Sequence, residues 1–76
     1  MLQADGFKEA ILGIGVRCGQ DDILVYDVDK CIEILMQKDN MTFEEASEYL
    51  EFNVVGAWLG KGTPIWLYKT EEAMYD

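Results

Sequence analysis

Apolar residues recur along this chain in two rhythms, one helical and one of short unbroken runs. Val28, Cys31, Ile32, Leu35 and Met36 fall at i, i+3, i+4, i+7 and i+8, which draws one stripe along a helix. Asp27 stands where its N-cap belongs, and the pattern stops near Asp39-Asn40. A second helix is predicted to begin at Phe43. Thr42 and Glu45 form a T-x-x-E capping box there, and Met41 and Ala46 occupy the staple positions. Ala46, Tyr49, Leu50, Asn53 and Val54 share its inner face, while Glu44, Glu48 and Glu51 line the outer one. Ile23-Leu24-Val25-Tyr26 and Pro64-Ile65-Trp66-Leu67-Tyr68 are β-prone runs too short for helices, so both predict strands. Pro64 is tolerated as a first strand residue because it lies outside the ladder.

The first twenty residues fit less cleanly. Phe7, Ala10 and Ile11 have helical spacing with Asp5 as a candidate N-cap, which predicts a short first helix over residues 3 to 12. The same region also reads as a strand, since Ile14 and Val16 alternate with Gly13, Gly15 and Arg17. Whether residues 9–18 are helix or strand stays open at this level. The resulting expectation is a small α+β domain in the order helix, strand, helix, helix, strand, with the two central helices forming an αα-hairpin on a small sheet. Residues 1–76 read as a single domain, with no linker or internal repeat, and the polar tail from about residue 69 is expected to fray.

Composition sharpens this picture in two ways. A chain of 76 residues buries only about 60 to 65% of the surface its unfolded form exposes, so its core is small. Two Trp, four Tyr and three Phe in so small a body leave aromatic surface for another subunit to cover. A homo-oligomer, most simply a dimer, is therefore expected. Fifteen Asp and Glu against six Lys and Arg give a net charge of −9, which repels DNA, RNA and anionic membranes alike. Direct nucleic-acid binding and membrane association are not expected, whereas a basic protein partner is compatible with the charge. No stretch is apolar enough for a membrane span, and MLQADGFKE lacks the pattern of a signal peptide, so a cytoplasmic location is expected.

Candidate chemistry is sparse. Gly60-Lys61-Gly62-Thr63 glances at a phosphate loop, but the preceding glycine is one residue too near, Gly62 replaces the required hydroxyl, and a strand rather than a helix follows. An ordinary glycine turn accounts for it. Asp27 and Asp29 are explained by helix capping; as a carboxylate pair they would be the centre of a carboxylate- or metal-dependent hydrolase. With no His in the chain, neither a Cys–His nucleophile nor a four-ligand zinc site can be built from one subunit, and no cofactor is expected. Cys31 lies on the apolar stripe and Cys18 beside Arg17; a redox role for either is left open. Asn53 shares the inner face of its helix, where a buried amide must find partners within the fold or in a ligand. Gly56, Ala57 and Gly60 make a small-residue floor flanked by Trp58 and Trp66, which form either a ligand pocket or the end of the core.

EYLEFNVVGAWLGKGTPIW, with VYDVDKCIEILM upstream, resembles a family of small uncharacterised phage and mobile-element proteins. Its members carry a Phe-Asn-Val-x-Gly-Ala-aromatic block followed by Thr-Pro. The resemblance spans about residues 7 to 67 and implies a source in a mobile gene pool, with no catalytic residues to carry over. The combined expectation is a small acidic non-enzymatic binding or adaptor protein. One alternative is a DNA mimic that presents Glu44, Glu48 and Glu51 to a basic host protein; the other is the hydrolase above.

Overall fold

The computed structural model describes residues 2–57 and 60–69. Three strands, β1 (Ile11–Gly15), β2 (Ile23–Asp27) and β3 (Ile65–Leu67), form one mixed sheet in the order β1-β2-β3. Helices α1 (Val28–Lys38) and α2 (Phe43–Leu50) form the hairpin that carries the chain from β2 to β3. This crossover makes β2 and β3 parallel, with Val25, Tyr26 and Asp27 opposite Ile65, Trp66 and Leu67. The α+β class, the αα-hairpin and both central helix starts are as the sequence predicts.

The capping chemistry is visible at each start. The Asp27 carboxylate accepts from the Asp29 N–H at 3.0 Å. At α2 the Thr42 hydroxyl accepts from the Glu45 N–H at 3.2 Å, and Glu45 Oε1 accepts in turn from the Thr42 N–H at 2.9 Å. Met41 and Ala46 both pack on the core, as a staple requires. Asn40, with φ 54, ends α1 in the left-handed conformation that asparagine tolerates.

The N-terminal region takes the other of its two readings. The first helix shrinks to a single 3-10 turn, Lys8–Ala10, and the chain then enters β1. Phe7, Ala10 and Ile11 do pack inward, but from a turn and a strand start rather than from one helix face. Two glycines weaken a helix here, and β2 offers the segment an antiparallel ladder instead. A bulge between Ile11 and Gly13 breaks the alternation that would have marked the strand.

The core lies between the helices and one face of the sheet, around Leu24, Tyr26, Cys31, Leu35, Ala46 and Leu50. On α1 the buried arc is wider than the predicted stripe. Ile34 is buried and Met36 is partly exposed, because α1 is packed on one side by β2 and the 3-10 turn and on the other by α2. Tyr26 is fully buried, accepts a hydrogen bond from the Ala4 N–H at 2.9 Å and stacks on Trp66 with ring centroids 4.9 Å apart. It ties the N-terminal segment, the central strand and the last strand together.

Candidate functional site

Beyond Leu50 the helix widens into a π turn, Glu51–Val55, closed by the Gly56 N–H donating to Glu51 O at 3.0 Å. An i→i+5 turn advances less angle per residue than an α-helix, so phase predicted from α2 is lost here. Asn53 shows the effect: it is exposed rather than buried with Leu50, and its amide donates to Tyr49 O at 3.3 Å. Tyr49 is likewise exposed. Of the two partners expected for its amide, one within the fold or a ligand, the structure supplies the first, a carbonyl one turn back.

Two cavities meet at Trp66. The larger, about 890 Å³, opens at the end of the sheet where β1 finishes and β2 and β3 begin. Gly15, Ile23, Ile65 and Trp66 supply its sheet side, and Val55, Gly56 and Ala57 its helical side. Two turns complete the rim. In the first, the Gln20 N–H donates to Arg17 O at 3.0 Å, with Gly19 at φ 76. In the second, the Thr63 N–H and hydroxyl both donate to Gly60 O, at 3.1 and 2.7 Å, with Gly60 at φ 104. The glycine stretch is thus a turn leading into β3, and it places Lys61 on the cavity wall. The smaller cavity, about 270 Å³, lies between the N-terminal segment and the π turn; Phe7, Asn53 and Pro64 help to line it.

Of the residues singled out by sequence, Gly56 and Trp66 come together in the large cavity, and Asn53 joins Trp66 in the small one. Gly60 shapes the adjoining turn. Trp58 lies outside the described residues, as does the tail beyond Lys69. Trp66 Nε1 is buried with no hydrogen-bond acceptor among the described residues, an arrangement that costs about 1 to 3 kcal/mol. Arg17 and Lys61 were not flagged by sequence reasoning as binding residues. The signal that could have found them is the scarcity of cations, six in the whole chain, with Lys61 between two glycines and Arg17 two residues from Gly19.

The acidic candidates sit elsewhere. Glu44, Glu48 and Glu51 are exposed along α2 and the π turn, with no Lys or Arg in salt-bridge range among the described residues. Glu45 is held by its own capping box. Asp27 and Asp29 form a cap rather than a pair in a cleft: one Asp27 oxygen accepts from the Asp29 N–H, and the other pairs with Lys69 at 3.3 Å. Among the described residues no group of three or more His, Cys, Asp or Glu could hold a metal ion, and no helix is long and apolar enough to cross a membrane. Cys31 is buried and Cys18 exposed, both as free thiols. Burial, followed by the nearby Asp27 charge, pushes the Cys31 thiol up to about 11.

A second feature is the outer face of the sheet. Register places Gly13, Gly15, Ile23, Val25, Ile65 and Leu67 on the side away from the helices, because they alternate with the buried Leu24 and Tyr26 and their neighbours. Ile65 and Leu67 are 48% and 41% exposed. On β1, Ile14 pairs with Leu24 and so lies on the inner side, yet it is 54% exposed at the sheet edge. No protein-family model, curated protein sequence or solved structure matches this chain.

Proposed function

We propose that this chain is a small non-enzymatic binding protein that works as a homodimer, joined through the outer face of its sheet, and that the large Trp66 cavity, which Gly15, Ile23 and Ile65 of that face help to wall, takes its ligand at the edge of the contact. The observation that carries the reading is the uncovered aliphatic sheet face, in which Ile65 and Leu67 are nearly half exposed. Large apolar patches on a soluble chain mark contact surfaces. That face also offers a second copy of a chain of net charge −9 an apolar surface in place of like-charge repulsion. Its glycines at 13 and 15 carry no side chain, so a facing sheet can approach closely there.

A binding role fits the chemistry of the cavities, which combine an apolar body with a few polar groups. The acidic stripe on α2 supports a second reading, a basic protein partner. Glu44, Glu48 and Glu51 are all exposed and unpaired among the described residues, and a dimer would present the stripe twice. The mobile-element source implied by the resemblance belongs to the same proposal.

Sedimentation velocity at micromolar protein tests the dimer. Wild type should sediment near twice 8.7 kDa, and an Ile65→Glu/Leu67→Glu variant at 8.7 kDa with an unchanged far-UV spectrum. A wild-type monomer would overturn the dimer and leave the face as a surface for a different protein.

A further inference from the structure

We propose that the large cavity at the end of the sheet binds a small organic anion, a monocarboxylate with an apolar body. The inference rests on the binding reading above and assigns the ligand class. It begins with a reversal of sign. The chain carries fifteen acids and six bases, yet the cavity is lined by two bases, Arg17 and Lys61, and one acid, Asp21. Neither base is paired with a carboxylate among the described residues, whereas Lys30 and Lys69 are each held by one, at 3.2 and 3.3 Å.

The two cations come to the cavity from turns far apart in sequence, each turn fixed by its own backbone hydrogen bonds, so the two basic residues are held on one cavity wall. The global negative charge does not cancel this. At physiological salt the Debye length is about 8 Å, so acidic groups beyond that range are screened and the bases on the cavity wall, Arg17 and Lys61, weigh most on a ligand there. Between the cations the wall is apolar: Val16, Ile65 and the Trp66 indole take the body of the ligand. One negative group with a hydrocarbon or aromatic remainder matches this lining. A polyanion does not, since Asp21 and the surrounding field oppose each additional charge. The cavity volume of about 890 Å³ is ample for such a molecule.

The test is a titration of the full chain, followed by backbone amide shifts, with octanoate and with its neutral isostere octanamide. Octanoate is expected to shift residues around Arg17, Lys61 and Ile65, to bind about tenfold more tightly than octanamide, and to weaken as salt rises. Arg17→Gln and Lys61→Gln should each weaken octanoate about threefold to tenfold and leave octanamide unchanged. Both side chains are exposed or on turns, so the variants should retain the wild-type amide spectrum. Equal binding of acid and amide at these residues would overturn the anion assignment while leaving the cavity as a binding site. Shifts confined to Val25 and Leu67, outer-face residues that do not line the cavity, would also overturn it, and no shift with either compound at millimolar concentration would remove both the assignment and the cavity's binding role.

Discussion

The two faces of the sheet are built from similar residues and have opposite fates. On the inner face Leu24 and Tyr26 are sealed beneath the helices; on the outer face Ile65 and Leu67, no less apolar, stand open. The difference is one of supply. Two helices of eleven and eight residues cover a single face of a three-stranded sheet, and no further helix among the described residues reaches the other. Alternation along a strand guarantees that what is apolar on both sides is finished on only one. Among the described residues, that second face has no covering layer.

The sharpest way to break the comparison is to remove one residue from each side and vary protein concentration. Leu50→Ala, at a position 1% exposed, should cost about 3 to 5 kcal/mol in urea denaturation and cost the same at every concentration. Ile65→Ala should cost below about 1 kcal/mol when the chain is dilute, with the loss growing as concentration rises and the dimer becomes the reference state. Equal, concentration-independent losses would mean that the outer face is not an interface.

Next in size is a pH effect peculiar to the inner side. Cys31 is raised from 9.0 to about 11 in the fold, so between these values the folded chain keeps a proton that the unfolded chain loses. Stability is therefore unaffected by this group below about pH 9 and falls as pH climbs toward 11, by about 2 to 3 kcal/mol for a two-unit shift. Cys31→Ala should flatten that part of the curve. Under native conditions a thiol reagent should label Cys18 quickly and Cys31 only as fast as the chain opens.

The smallest effect lies at the start of α2. Thr42→Ala removes the hydroxyl that accepts from the Glu45 N–H and leaves only the reciprocal bond from the residue-42 N–H to Glu45 Oε1, at a cost of about 1 kcal/mol by thermal or chemical denaturation. The loss should be the same in monomer and dimer, because the cap is remote from the outer face.

How far the sequence reveals these features depends on whether the cause is local. Both helices of the hairpin were legible because caps and stripes are written within a few residues of the element they define. β1 was legible only as one of two readings, because a bulge interrupts its alternation and its ladder partner lies beyond the next turn. Asn53 misled for a related reason: a π turn changes the angular step, and nothing in the apolar pattern announces it. For the site, Gly56 and Trp66 were recognisable as small-residue floor and aromatic wall. Arg17 and Lys61 were not recognisable as neighbours, since only the sheet brings their two turns to one end of the molecule.

The parallel pairing of β3 with β2 also sets an order of assembly. The β1–β2 hairpin and the αα-hairpin close over short stretches of chain, while β3 must return across the whole helical segment before Ile65 meets Val25. Closing that long loop costs more entropy and comes late on the folding path. Trp66 is then the last large ring to reach its stacking partner Tyr26, and the cavity it walls exists only after that step. In a Trp58→Phe variant, where Trp66 is the sole indole, the final fluorescence change of a refolding trace would mark the moment at which the cavity is completed.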